Sequence, residues 1–511
     1  MPPHKPVHSL KAFAKDKVMY NVCAVILDEI FFTEEENWDI FGPPRLSTRL
    51  SIVRDILASS LTPTLLEDLL NTILSKDEAV EATVRYLALQ LLLVEGVRNL
   101  MVGNFPESYY EWVLEATGLN GAGIQTLDLR GVWIREEHRY FLIKALRKLQ
   151  DVRKLTLRYT CDDEMLATLG KYCLKLQKLD ISGSARITVD GLKQLCENPS
   201  RTHDTHLTQT LQIVDLGGPG SQNLSVDLAC YLLKTLPHLV SLGSYEHTGA
   251  ALEIMHKKCP NKQFGLKYLH DVITTSGRHF AICKACPDLQ AIYLDSPKDI
   301  CIHFLDMMNN LSEVKMHKVR WSDVLVMLKK MGSRIRSLFL LTVFGQVDMI
   351  ELGSLCPNMI RLEIHNVSLS CSDTTHRSAF HNIKELYIYN SQISTTCVKL
   401  IMNQCLNVEH LTLGDCAQLT DPAIILSMRD HSLRHVKEIW FGVAQNLTMR
   451  TIEALIEHCP LLTSLGNLAA WSVHPDDINL LRVQFMVTNV DLALHEYGPD
   501  EEEQWIPIEA I

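Results

Sequence analysis

The chain is poor in aromatic residues, which make up 7% of its 511 positions, and poor in basic charge, with 49 lysines and arginines against 60 aspartates and glutamates. The acidic excess, formally -11, argues against a general nucleic-acid binder, whose surface would be basic. Long apolar runs are also missing. The most apolar stretch near the front, YLALQLLLV at 86–94, falls well short of the roughly 20 residues a bilayer span needs. The first residues, MPPHKPVHSLKAFAKDK, are followed by no signal-type apolar segment, so the expectation is a soluble protein of the cytoplasm or nucleus, with no membrane partner. No P-loop occurs, and GGPG at 217–220 lacks both the lysine and the strand-to-helix setting of a phosphate cradle. Cysteine is abundant by contrast, with 15 residues, and 47% of the chain is apolar, which excludes a disordered or collagen-like polymer.

Repetition accounts for most of what is present. A phrase with apolar residues at its first, fourth and sixth positions recurs as IQTLDL (124–129), VRKLTL (152–157), LQKLDI (176–181) and LQIVDL (211–216). It continues as LQAIYL (289–294), LSEVKM (311–316), IRSLFL (335–340), MIRLEI (359–364), IKELYI (383–388), VEHLTL (408–413) and VKEIWF (436–441). Weaker copies begin at Val97, Leu239, Leu266 and Leu462, and successive starts lie 22 to 28 residues apart except for one gap of 35 between Leu176 and Leu211. A polar insertion around 195–210 fills that gap. On a strand the fourth and sixth positions share one face and point inward, while the third, fifth and seventh point outward. Each phrase leads into an amphipathic helical segment, and one strand with one helix buries its apolar faces only when copies stack.

This period and phrase resemble leucine-rich repeats. The resemblance covers roughly residues 96–490 and implies an α/β solenoid, a horseshoe with parallel strands on its concave face and helices outside. Cysteine stands just ahead of the next strand at Cys173, Cys259, Cys286, Cys356, Cys405 and Cys459, and Cys416 follows a strand. These positions are similar to those of the cysteine-containing subclass, common in F-box proteins and other substrate receptors of ubiquitin ligases. The expected role for the thiol is a small buried apolar group, with no disulfide framework needed. The lone Cys283-x-x-Cys286 is read the same way, since Cys286 occupies a helix-end slot, and His203-x-x-His206 lacks companion ligands. Neither a cofactor nor a metal is expected, and nothing points to an enzyme.

Residues 1–95 lack the phrase and read as several helices: one over about 10–32, a second opening near Arg45, a third at the Thr62-Pro63 junction, and a fourth capped by Ser75 or Asp77. Met19-x-x-x-Cys23-x-x-x-Leu27 places three side chains on one helix face. The spacing is similar to the box by which some receptors hold the elongin B–C adaptor, with Met19 standing where leucine is usual. Pro44 and Leu46, in GPPRL (42–46), lie where a cullin-contacting box or a degenerate F-box would open. These features imply an elongin B–C or F-box adaptor and a cullin as partners. A helical cap for the stack is the other reading of the same region.

For the concave face the outward positions nominate Tyr293, Lys315, His317, Phe339, Arg361, Glu363, His365, Tyr387, Tyr389, His410 and Trp440 as a surface for a protein substrate. Aromatics and arginine are enriched at binding hot spots. The alternative is that some of these rings shield neighbouring strands. The N-terminal repeats instead show Asp128, Arg130, Lys154, Arg158, Lys178 and Asp180, a mixed charged face. The acidic stretch 491–511 reads as a tail. The functional expectation is a non-catalytic substrate-recognition subunit of a cullin–RING ubiquitin ligase. A repeat scaffold or enzyme regulator with no ubiquitin link is the alternative.

Overall fold

The computed structural model describes residues 2–4, 10–33, 45–76, 79–197, 207–217, 225–298, 301–372, 380–430 and 433–498. Two compact units result: an N-terminal one of residues 8–258 with 264–266, and a C-terminal one of 259–263 and 267–511 with residues 1–7. Among the described residues no helix is long and apolar enough to cross a membrane.

The N-terminal unit opens with four helices, α1 (Leu10–Thr33), α2 (Thr48–Ser60), α3 (Pro63–Leu74) and α4 (Ala82–Leu92). Local chemistry sets their ends. The Ser47 hydroxyl accepts the Leu50 N–H and opens α2, three residues past Arg45. Pro63 fits the first turn of α3, where no amide hydrogen is required. Ser75 does not open the fourth helix as its type suggests. It closes α3, its N–H donating to the Asn71 carbonyl, and α4 begins only after Glu81. Asp77 lies outside the described residues. Helices α1 and α2 lie against α4, which is buried along most of its length.

A five-stranded parallel sheet follows in chain order: β1 (Asn99–Met101), β2 (Thr126–Asp128), β3 (Lys154–Thr156), β4 (Lys178–Asp180) and β5 (Ile213–Asp215). The C-terminal unit holds ten parallel strands: β6 (Tyr268–Val272), β7 (Ala291–Asp295), β8 (Glu313–Arg320), β9 (Ser337–Phe344), β11 (Arg361–His365), β13 (Glu385–Gln392), β14 (His410–Asp415), β15 (Glu438–Phe441), β16 (Ser464–Gly466) and β17 (Ala493–Leu494). A separate pair, β10 (Gln346–Asp348) and β12 (Ser368–Ser370), runs beside it. Every strong copy of the phrase has become a strand. The weak copy at Leu239 yields only a single bridge between Ile213 and Ser241.

The register aligns equivalent positions. Leu338, Leu362, Leu386, Leu411 and Ile439 pair in a row, as do Leu340, Ile364, Ile388, Leu413 and Phe441, and all are buried. Both units are therefore stacks of leucine-rich repeats of the α/β class. Cys173, Cys286, Cys356, Cys405 and Cys459 each end a helix, bury the thiol and send their N–H to the carbonyl four residues back. Cys259 departs from this pattern and is exposed. Nine residues connect its helix, which ends at Lys258, to β6, whereas five connect Ala285 to β7. The longer path carries Cys259 off the core.

One regularity has no counterpart in the phrase. The eighth position adopts a left-handed backbone at Tyr159, Ile273, Ser296, Lys318, Thr342, Asn366, Asn390 and Val443. Such φ values strain β-branched side chains. The kink recurs at the repeat period and turns the chain away from the strand direction.

Candidate functional site

Three outward rows cross the open face of the C-terminal sheet, with adjacent strands about 4.8 Å apart. The third-position row reads Glu313, Ser337, Arg361, Glu385, His410, Glu438. The fifth reads Tyr293, Lys315, Phe339, Glu363, Tyr387, Thr412, Trp440. The seventh reads Asp295, His317, Leu341, His365, Tyr389. All eleven residues nominated from sequence thus lie on one face.

Arg361 is the hub. Its guanidinium sits 5.1 Å from the Phe339 ring centre and 5.2 Å from that of Tyr387. It pairs with Glu363 at 3.0 Å and Glu385 at 3.2 Å. Burial works against the charge of Glu363, but hydrogen bonds from His365 and Arg361 prevail and hold its carboxyl below the usual range. His365 stacks on Tyr389 at 4.6 Å, and Tyr389 lies parallel to Tyr387. At the other end the Lys315 ammonium stands 4.7 Å from the Tyr293 ring centre, which stacks on His270. Burial pushes the Lys315 amine down to about 8, assisted by Arg361 and opposed by Glu363 and Glu313. His317 pairs with Asp295 at 3.1 Å.

His410 and Trp440 lie beyond this network. His410 pairs with Glu438 at 3.1 Å, and Trp440 packs beside His495. Gly466 makes room for the indole, since a β-carbon there would fall 1.9 Å from the ring. Lys315, Phe339, Glu363 and Tyr389 are buried and the other seven are half-buried. The rings do shield one another, so the face is a packed, polar-edged surface rather than a set of free side chains. Sequence reasoning passed over Glu385, His270 and Glu313, which sit in the same rows: Glu385 pairs with Arg361, His270 stacks on Tyr293, and the Glu313 charge acts on Lys315 and Arg361.

The helical front arranges its residues differently. Val22 and Ile26 of α1 are buried, Met19 and Cys23 are half-buried, and Leu27 is exposed. Burial raises the Cys23 thiol, with Lys76 acting in the opposite sense. Phe13, Tyr20, Leu27 and Phe31 form an exposed apolar stripe on α1, and Ile52 and Ile56 are exposed on α2. The seven-residue spacing from 13 through 20 to 27 was the available signal for this stripe. Leu46 is half-buried ahead of the α2 cap, and Pro44 lies outside the described residues.

Remaining chemical candidates are engaged elsewhere. Glu107, Glu137 and His138 bring ligand atoms within 4.8 Å of one another, but Glu107 pairs with Arg135 and His138 Nδ1 accepts the Arg135 N–H. Burial pushes the Cys283 thiol up to about 12, and that of Cys286 further, as for packing groups. Cys397 goes the other way, pulled down to about 7 by hydrogen bonds from Cys371 and Ser394. His203 and His206 fall outside the described residues.

The fold and this face define a leucine-rich-repeat protein of the α/β class. No family model matches the chain. Over 120 residues it is 28% identical to the F-box/LRR-repeat protein 4 of Bos taurus, a match covering 22% of this chain and 18% of that protein. The matched length is thus less than a fifth of that relative. Among solved structures, the Rad7 and Elc1 complex of yeast matches at TM-score 0.37 and 14% identity, over 76% of this chain and 81% of that one. The internalin InlF of Listeria monocytogenes matches at 0.27 and 13% identity, over 88% and 95%. The leucine-rich repeat domain of APL1B matches at 0.28 and 12% identity, over 81% and 92%.

Proposed function

We propose that this protein is a non-catalytic substrate-recognition subunit of a cullin–RING ubiquitin ligase. In this reading the open face of the C-terminal unit holds a protein substrate and the exposed side of α1 holds the adaptor. The observation that carries the binding role is the Arg361 network, which spreads aromatic and ionic groups across β7, β8, β9, β11 and β13. Its interior rows leave the outward positions free to vary, yet those positions are filled by the residue types that dominate protein interfaces. The adaptor role is supported by the apolar stripe through Leu27 and by the partial match to an F-box/LRR-repeat protein. Holding adaptor and substrate at separate places would act through effective concentration, with no chemistry on this chain.

The test uses purified full chain with purified elongin B–C and, separately, the F-box adaptor. One of the two should co-elute with it, and Leu27→Asp should abolish this because an aspartate does not enter an apolar groove. Co-elution with neither overturns the ligase reading. Its competitor is a repeat scaffold in which the helices only cap the stack, a reading favoured by the half-burial of Met19 and Cys23.

A further inference from the structure

At the leading ends of β8, β9, β11 and β13, four successive connections wall a groove of about 570 Å³. Arg334, Arg336 and Lys384 line it together with asparagines and serines, and no carboxylate is among the lining residues. In a chain of formal charge -11 such a local composition needs a reason. The walls are held from within: Asn358 donates to the Ser333 carbonyl at 2.8 Å and Asn382 to the Pro357 carbonyl at 2.9 Å.

The cations are incompletely neutralised. Among the described residues the Arg334 guanidinium donates to the carbonyls of Asp306, Met308 and Asn309 and pairs with no acid, so hydrogen bonds fix it without cancelling its charge. Arg336 is exposed and its side chain has no ion pair among the described residues. Lys384 pairs with Glu409 at 2.9 Å, but the same carboxylate is shared with Lys437 at 2.6 Å. Of the three cations lining the groove, only Lys384 has a carboxylate partner among the described residues, and it shares that partner with Lys437. Of the neighbouring acids, Asp306 pairs with Lys330, and Asp288 accepts from Asn310 without lining the groove. Arg336 and Lys384 occupy the second position of their repeats, with Ile360 between them, so their backbones stand two strand spacings apart, about 10 Å. Long side chains converging from that separation can enclose a tetrahedral anion. Guanidinium groups favour such oxyanions by paired, charge-assisted hydrogen bonds.

We infer that this groove binds an anionic phosphoryl group carried on a protein segment, with Arg336 and Lys384 contacting its oxygens and Arg334 supplying a fixed positive field. That the phosphoryl group arrives on a protein rests on the protein-binding role proposed above; the anion site itself does not.

The experiment titrates full-length protein with a fluorescent peptide bearing one phosphoserine among acidic residues, its unphosphorylated form, and inorganic phosphate as competitor. The phosphopeptide should bind at least tenfold more tightly than the unphosphorylated peptide, and added salt should weaken it. Arg336→Glu and Lys384→Glu should each lower its affinity at least tenfold, while Arg130→Glu in the other unit leaves it unchanged. Displacement by millimolar phosphate would attribute recognition to the anion itself and support the site. Binding of inorganic phosphate without binding of the peptide would support the anion site and overturn its protein source. Equal phosphopeptide binding by wild type and Arg336→Glu overturns the inference, as does failure to bind either ligand. Adaptor co-elution with the Arg336→Glu protein, which the groove does not touch, separates this failure from failure of the ligase reading.

Discussion

In the N-terminal unit every strand of the sheet is three residues long, whereas β8, β9 and β13 of the C-terminal unit run for eight. The interiors are alike: leucines, isoleucines and valines at the fourth and sixth positions are buried in both. The outward faces are not. The short strands show charged pairs, Asp128 with Arg130 and Arg158 with Asp180, each at 2.7 Å. The long ones carry the Arg361 network of rings and ions. Since the same core is built with either exterior, packing does not require the aromatic face. That difference supports the proposed placement of partner binding in the C-terminal unit.

The largest expected effects examine the shared interior. Leu362→Ala in the C-terminal sheet and Leu155→Ala in the N-terminal one should each cost about 3 kcal/mol, since both side chains are fully buried. Urea unfolding of the two variants would break the comparison at its base if one cost less than about 1 kcal/mol.

Next comes a pH effect confined to the N-terminal unit. Asp215 is pushed up to about 6, first by burial and then by the neighbouring charge of Asp180, from an ordinary value of 3.8. With the folded value raised, the associated stability is present below the unfolded pKa and is lost as pH rises from about 4 through 6. The loss should be on the order of 2–3 kcal/mol at neutral pH. Asp215→Asn keeps an oxygen for the Gly217 N–H and should flatten that slope in thermal melts. A slope unchanged from wild type would refute the assignment.

A smaller contrast separates the two kinds of outward arginine. Arg361→Ala strips the buried Glu363 of one partner, although His365 remains, and should cost about 2 kcal/mol. Arg130→Ala removes an exposed pair and should cost under about 0.5 kcal/mol. Equal losses on denaturation would erase the distinction between a packed face and a solvated one. Last is a backbone effect: Ile273→Asn, at an exposed left-handed position, should stabilise by a few tenths of a kcal/mol, up to about 0.5. A stability below wild type would show that the kink costs little there.

These contrasts also mark what the amino-acid order makes legible. A six-residue phrase with two inward positions specifies strand, register and face, so β7, β8, β9, β11, β13, β14 and β15 lie where LQAIYL through VKEIWF place them, while the pair β10 and β12 has no phrase of its own. The left-handed eighth position was invisible because Ile273, Thr342 and Val443 are the wrong residue types to announce it. Cys259 was misplaced because its buried role depends on a loop length that the irregular stretch around it changes. The candidate face was visible as a list of residues, but not its packing, since mutual shielding by Arg361, Phe339 and Tyr387 arises only when three strands lie side by side. The basic groove escaped notice because its cations come from two repeats, Arg334 and Arg336 from one and Lys384 from another, with Ile360 between them in space.

The proposed division of labour between α1 and the C-terminal face is tested most directly by quantitative affinity capture with three full-length proteins: wild type, Leu27→Asp and Tyr387→Glu. The account predicts two separable sets of partners. An adaptor should be lost from Leu27→Asp and retained by Tyr387→Glu, and a second set should be lost from Tyr387→Glu and retained by Leu27→Asp. Recovery of the same proteins by all three, or loss of one common set from both variants, would contradict it.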